Sequence, residues 1–284
     1  MTSSETLSSP KNGFVILAMS LRAWISVLAR PPRCALPGSF LRRHALWLVI
    51  AVIVMGASMV LLDQRTISAV ARLPAWVTLA FKWLTDFGRS SWFLLPLGFC
   101  ILALALSSPF MDRIGRRVSA ILATRLSFLF AAIALPDVFV TVAKHLIGRR
   151  RPSSLGPFVY DPFSWSPAFA SLPSAHAATA CSVAVAFGAL FPQIRFLLWT
   201  YALLIMASRI VISAHYPSDV MAGAFVGVFG ALFVRNWFAE RRLGLYVESG
   251  GRVRALPGPS FARLWSTTLL SGRRQRADGA QSWN

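Results

Sequence analysis

The sequence predicts an all-α polytopic membrane protein: a six-transmembrane-helix core plus amphipathic interfacial helices. Three observations carry this reading. Of the 284 residues, 56% are hydrophobic and 14% charged, with a mean hydropathy of +0.59, whereas a soluble domain carries about 25% charged residues. The apolar residues come in long runs, not in the short periodic stripes that a soluble core would give. The net charge of +19 sits largely in the two tails and in short loops between apolar runs, the pattern of membrane topology. Nucleic-acid binding would need a basic face on a soluble domain, and no segment reads as one.

Six runs approach the ~20 residues needed to cross a bilayer. They are 44–62, 91–108, 118–143, 175–191, 196–214 and 218–239. Residues 1–13 are polar. Residues 14–29 are apolar but short and interrupted by Arg22, which suits a helix lying in the interface plane. Segment 65–88 alternates Trp76, Phe81 and Trp83 with Arg72, Lys82 and Asp86, and is expected as an amphipathic helix on the membrane surface. After Phe238 the chain is basic and rich in Gly, Pro and Ser, and is expected as a loosely ordered tail. The division is therefore a basic N-terminal segment 1–43, a membrane domain 44–239 and a basic tail 240–284.

Charge sets the orientation. With the N-terminus inside, the inner segments hold Lys11, Arg22, Arg30, Arg33, Arg42, Arg43, Arg113, Arg116, Arg117, Arg195 and the arginines of the tail. They outweigh Arg65, Arg72, Lys82, Arg89, Lys144, Arg149, Arg150 and Arg151 outside, so both termini are expected in the cytoplasm. Half of the outer charges lie in one stretch, 144–151, and a dense cluster on the disfavoured side needs a reason of its own. Cys34, Cys100 and Cys181 show no metal-ligand spacing.

Three segments bear chemistry, and this topology puts all of them at the outer face: Lys144–Pro152, Pro173-Ser174-Ala175-His176, and Ser208-Arg209 through His215 to Asp219. Ionisable groups at membrane depth are costly and mark functional sites. Lys144, Arg151 and Arg209 supply three cations, and guanidinium forks match phosphate oxygens. The Ser174 hydroxyl and the backbone N–H groups at the start of the fourth span add donors where the helix dipole favours an anion. No carboxylate cluster is present to hold Mg²⁺. His215 lies four residues before Asp219, whose carboxylate on one imidazole nitrogen would leave the other free to attack phosphorus. His176 is the better candidate to protonate the leaving alkoxide and later to activate water.

This constellation resembles the type 2 phosphatidic acid phosphatases, the lipid phosphate phosphatases. Their pattern is Lys, six residues, Arg-Pro; then Pro-Ser-Gly-His; then Ser-Arg, five residues, His, three residues, Asp. Lys144–Pro152 and Ser208–Asp219 match in full. Pro173–His176 matches except that Ala175 stands where glycine is usual. The resemblance implies metal- and cofactor-independent hydrolysis through a phosphohistidine on His215. By the same resemblance His176 is the acid, and Lys144, Arg151, Ser174 and Arg209 bind phosphate beside Ala175. The expected substrate is an envelope lipid in a bacterial inner membrane: a phosphatidate, phosphatidylglycerophosphate, a polyprenyl diphosphate or a lipid A phosphate. A phosphotransferase with a lipid hydroxyl as acceptor, or a non-catalytic lipid-binding or transport protein on the same fold, are the alternatives.

The remaining polar residues take plainer readings. Arg149 and Arg150 are expected as interface anchors, because Lys and Arg snorkel at helix ends. His145 is expected to be structural or interfacial, and His44 and Arg125 to anchor span ends. Asp137, seven residues before Lys144, falls on nearly the same helix face. It pairs with a site cation, lines an access path or glues helices together.

Overall fold

A computed structural model describes residues 38–152 and 156–257, together with 22, 26, 29–34 and 36. The polar residues 1–13, nearly all of the expected helix at 14–29 and the tail beyond 257 lie outside the described residues.

Helix α1 (Phe40–Leu61) starts where the Ser39 hydroxyl accepts the Arg42 N–H. Beyond Arg42, Arg43 and His44 in its first turns the helix is apolar on every side, and Leu46, Trp47, Val52 and Ile53 are exposed. A helix that is apolar all round and still exposed is solvated by lipid. Two short helices follow, α2 (Asp63–Val70) and α3 (Ala75–Asp86), and then α4 (Ser91–Ser107). Helix α5 (Arg113–Ile147) is the longest at 35 residues. Asp112 caps its start, accepting the Gly115 N–H at 2.7 Å, and Gly148 ends it in the left-handed region. Helices α6 (Ala175–Leu190), α7 (Arg195–Val211) and α8 (Pro217–Glu240) complete the bundle.

Five stretches are long and apolar enough to cross a membrane: α1, the run from Ala75 to Ser107, α5, Pro192–Val211 and α8. The fourth expected span, α6, is apolar but only 16 residues long. It lies at the centre, packed against α5, α7 and α8. In lipid no hydrophobic force drives helices together, so close contact depends on small residues. Ala177, Ala178, Ala180 and Ala184 are fully buried on α6. Opposite them on α8, a Cβ on Gly223 would lie 2.2 Å from the Ser174 carbonyl, and one on Gly227 2.3 Å from that of Ala178.

Two expectations change. Segment 65–88 is not one surface helix. Asp63, at the start of α2, is fully buried, and α3 packs along α7, where Thr85 accepts from Arg209 and the Phe87 carbonyl from Tyr201. Trp76, Leu79 and Trp83 are exposed apolar groups within a run able to span, so Lys82 and Asp86 are a polar minority on a membrane helix. The tail is ordered at its start. Strands β1 (Leu245–Val247) and β2 (Val253–Ala255) form an antiparallel hairpin, with Leu245 fully buried in the core beside Phe128 and Phe238. Arg125 does more than snorkel, since its guanidinium donates to the Leu256 carbonyl. At the same end of the bundle the Arg33 and Leu36 N–H groups donate to Glu240, so the segment before α1 lies against the end of α8.

Candidate functional site

The three motifs are laced together by main-chain bonds. Gly148 turns the chain with φ +62°, and a Cβ there would lie 1.7 Å from the Asp161 carbonyl oxygen. The next residues pair with the following loop: the Arg150 N–H donates to Val159, Arg151 to Ala168, and Ser171 back to Arg149. The Ser174 N–H donates to the Asp219 carbonyl at 3.0 Å, which joins the second motif to the third. At the end of α7 the Arg209 carbonyl accepts from the N–H groups of Ala214 and His215, and this tight turn carries His215 into the bundle.

His215 is buried at 3% exposure, and His176 is half-buried on the first turn of α6. Arg209 is buried, with Nη1 donating to Thr85 at 2.7 Å. Among the described residues, Arg151 Nε, Arg209 Nε and Ser174 Oγ are buried with no hydrogen-bond partner. Buried donors are normally satisfied, so three unsatisfied ones at one site suit an anionic ligand. Lys144 is half-buried one turn before Gly148, and its charge, with those of Arg209, Arg89 and Arg151, bears on the His176 ring. Ala175 opens α6 with no positive φ, so the usual glycine is not required there for its conformational freedom. The close approach that does require glycine falls at Gly223.

Burial, and then the positive charges of Arg209 and Arg151, hold the His215 imidazole well below its ordinary pKa, while a bond to the Ser171 main chain opposes them. The ring is therefore neutral at pH 7. Burial also lowers Arg151, partly offset by Asp219.

The direct Asp219–His215 contact expected from the spacing is not formed. His215 Nδ1 lies 3.9 Å from Asp219 Oδ2, beyond hydrogen-bond range. The Ser171 hydroxyl lies beside both, donating to Asp219 at 2.6 Å and lying 3.5 Å from Nδ1. Asp219 also accepts the Tyr216 N–H and, through Oδ1, Arg149 at 2.7 Å.

Arg149 is the largest correction. It is not an interface anchor but a fully buried cation. It donates to Asp63, Asp219, Ser218 and the Pro157 carbonyl, and its guanidinium lies 4.6 Å from the centre of the Tyr216 ring. Burial opposes its charge, but Asp219 and Asp63 outweigh that and raise its pKa. Sequence reasoning missed Asp63 and Ser171. Asp63 carried a signal: it is one of only ten acids in the chain, placed at the outer end of the first span opposite a surplus of cations. Ser171 carried none. Arg150 lies over the Phe169 ring at 5.6 Å, and His145 bonds to the Ser164 carbonyl and stacks on Trp165. Asp137 pairs with no site cation. It accepts the Ser90 hydroxyl at 3.0 Å, which ties α4 to α5, and lines a cavity beside His176.

Comparison with known proteins agrees with the site. The model of the PAP2 superfamily matches residues 125–243, which contain all three motifs. A lipid A 1-phosphatase of Rhizobium etli is 32% identical over 198 residues, covering 65% of this chain and 81% of that protein. A lipid A 1-phosphatase of Rhizobium johnstonii is 35% identical over 117 residues, 40% of this chain and 48% of that one. Among solved structures, Aquifex aeolicus LpxE aligns with a TM-score of 0.44 and 23% identity, covering 61% of this chain and 94% of its own. The transmembrane PAP2 type phosphatidylglycerolphosphate phosphatase from Bacillus subtilis aligns with a TM-score of 0.45 and 21% identity, covering 70% and 94%. With the motifs, the membrane-spanning helices and the relative from Rhizobium etli taken together, the chain belongs to the PAP2 superfamily and is a membrane phosphatase.

Proposed function

We propose that the chain hydrolyses a phosphomonoester of an envelope lipid through a phosphohistidine on His215, without a metal. The observation that carries this is the set of buried, unpartnered donors: Ser174 Oγ and Arg209 Nε on the segments of the two histidines, and Arg151 Nε, whose charge bears on both rings. These groups and Lys144 hold the phosphoryl oxygens and offset the charge that grows in transfer. The neutral His215 ring turns Nδ1 toward Ser171 and Asp219, which leaves Nε2 to attack phosphorus. As the bond to the leaving oxygen breaks, His176 donates a proton to it. Water then attacks the phosphohistidine, His176 accepts its proton, and the P–N bond breaks to release inorganic phosphate.

The names of the two Rhizobium relatives favour a lipid A phosphate over the other envelope lipids. The cationic N-terminal segment 1–43 and tail 240–284 support a placement of both termini in the cytoplasm. The membrane domain 44–239 then crosses six times, with α6 as the short span, and the site faces the periplasm of a bacterial inner membrane. The test is phosphate release by purified protein in detergent from the four lipid classes, with no added acceptor. Release from a lipid A phosphate that is lost in His215→Ala supports the reading. Release that depends on an added lipid hydroxyl identifies a phosphotransferase instead.

A further inference from the structure

Attack and departure occur on opposite sides of phosphorus in an in-line displacement. If His215 attacks and His176 protonates the leaving oxygen, as proposed above, the leaving group lies on the His176 side. A cavity of about 190 Å³ occupies that side, lined by His176 and not by His215. Its other walls include Arg89, Ser90 and Ser91 at the break between α3 and α4, Asp137 on α5 and Thr179 on α6. At about 30 Å³ per water, it has the room of roughly six waters. That suits a glycerol unit or part of a sugar ring.

The lining chemistry is specific. Three hydroxyls, the Asp137 carboxylate and the Arg89 guanidinium line the cavity, with no large aliphatic side chain among them. Arg89 already pairs with Asp86 at 2.7 Å, whereas the Asp137 carboxylate keeps an oxygen toward the cavity's ligand. A carboxylate near a phosphate site opposes the phosphate itself, so it needs a compensating role. Asp137 gives one oxygen, Oδ2, to Ser90, and Oδ1 remains as an acceptor. The acceptor suits a hydroxyl on the leaving group. The same negative charge repels a leaving group that is itself an anion, as the monophosphate released from a diphosphate is.

We infer that Asp137, Ser90, Ser91 and Thr179 form a leaving-group subsite that selects phosphomonoesters whose leaving group carries a free hydroxyl, and that Asp137 discriminates against diphosphates. This rests on the phosphatase reading and narrows its substrate. Asp137 is a specificity-determining residue here, distinct from the groups that bind phosphate.

The test uses the full chain in detergent and compares kcat/KM on four substrates. Phosphatidylglycerophosphate releases phosphatidylglycerol, whose terminal glycerol carries a free hydroxyl and whose phosphodiester charge lies three carbons away; phosphatidate releases diacylglycerol; a polyprenyl diphosphate releases a monophosphate charged at the atom next to the scissile oxygen; and 4-nitrophenyl phosphate is the activated control. The wild type is expected to prefer phosphatidylglycerophosphate over phosphatidate by at least about ten-fold, because a site built to bond a hydroxyl rejects ligands that lack one. Asp137→Asn should reduce that ratio toward one and raise the ratio of diphosphate to phosphatidate. Thr179→Val, nearly isosteric, should reduce the first ratio and leave the second. A wild type that prefers phosphatidate or the diphosphate overturns the inference. So does Asp137→Asn if it scales all four rates equally, which is what mere loosening of the α4–α5 contact would do. If Asp137→Asn does not fold, the wild-type preference and Thr179→Val decide. Failure to release phosphate from any of the four, and from a lipid A phosphate assayed beside them, overturns the phosphatase reading itself.

Discussion

Arg149 Nη2 lies 2.7 Å from Asp63 Oδ2, with both side chains fully buried. The contact joins the C-terminal end of the first span to the first motif across 86 residues of sequence. Asp63 also accepts the Ser218 hydroxyl and N–H, and Arg149 reaches Asp219 with its other terminal nitrogen. One cation thus serves two carboxylates beneath the histidine. Removing the shared member leaves both uncompensated, and breaking such a pair costs about 3–5 kcal/mol. Arg149→Met is expected to lower the Tm in detergent strongly, with Asp63→Asn milder because its amide keeps hydrogen bonds. An unchanged Tm in Arg149→Met would show that the network does not hold the outer ends of these helices together.

In the proposed mechanism His215 is the group whose ionisation decides attack. Its pKa lies well below the ordinary value, through burial first and then Arg209 and Arg151. A histidine with a depressed pKa stays neutral as pH falls through 6.5, so nucleophilic competence persists into mild acid. Trapping in alkaline detergent, in which the P–N bond survives, is expected to recover as much phosphoenzyme from reactions run at pH 6 as at pH 7.5, and none from His215→Ala. A steep loss of trapped label between those values contradicts the assignment.

His176 has a leaving-group signature. General acid catalysis is worth about 10²–10⁴-fold and matters most for poor leaving groups. His176→Ala should therefore lose more than ten-fold more rate on a lipid alkyl phosphate than on 4-nitrophenyl phosphate. Equal losses on both point to a positioning role only.

Gly223 tests the lacing of the motifs. A Cβ there meets the Ser174 carbonyl oxygen at 2.2 Å, well inside any real contact. Gly223→Ala must push α8 from the start of α6, and is expected to reduce both activity and Tm. Gly250→Ala, where nothing lies within 4 Å of the added carbon, serves as the neutral control. Should the two variants behave alike, the close approach is not structurally important.

The charge at the site comes from side chains: Lys144, Arg151 and Arg209. EDTA is expected to leave turnover intact, and vanadate, which adopts the five-coordinate geometry of phosphorus in transfer, to inhibit. Loss of activity in EDTA that added Mg²⁺ restores would refute the metal-free mechanism.

Much of the site was legible because the motif residues are local in sequence and chemically unusual for a membrane face. The cations of 144–151 stood on the side where charge is disfavoured, and His176 and His215 flanked apolar runs. What stayed hidden depends on tertiary pairing. Arg149 read as an anchor because its partners are 70 and 86 residues away. The four-residue spacing of His215 and Asp219 suggested a direct carboxylate–imidazole contact, but α8 begins at Pro217. His215 therefore lies outside the helix, and Asp219 turns back to the Tyr216 N–H as a first-turn acid does. The α3–α4 run was misjudged for a similar reason: its few charges dominated a segment whose exposed face is Trp76, Leu79 and Trp83.

The shortness of α6 has a consequence for where the reaction occurs. Sixteen residues rise only about 24 Å at 1.5 Å each, against a hydrocarbon core of about 30 Å. If its Leu190 end reaches the far interface, the end that bears Ser174 and His176 falls about 6 Å short of the near one. In the proposed reaction the protein would then not have to lift an amphiphile out of its leaflet against the cost of wetting its chains. It would meet the headgroup at the depth where it already floats, with the tails in oil throughout turnover.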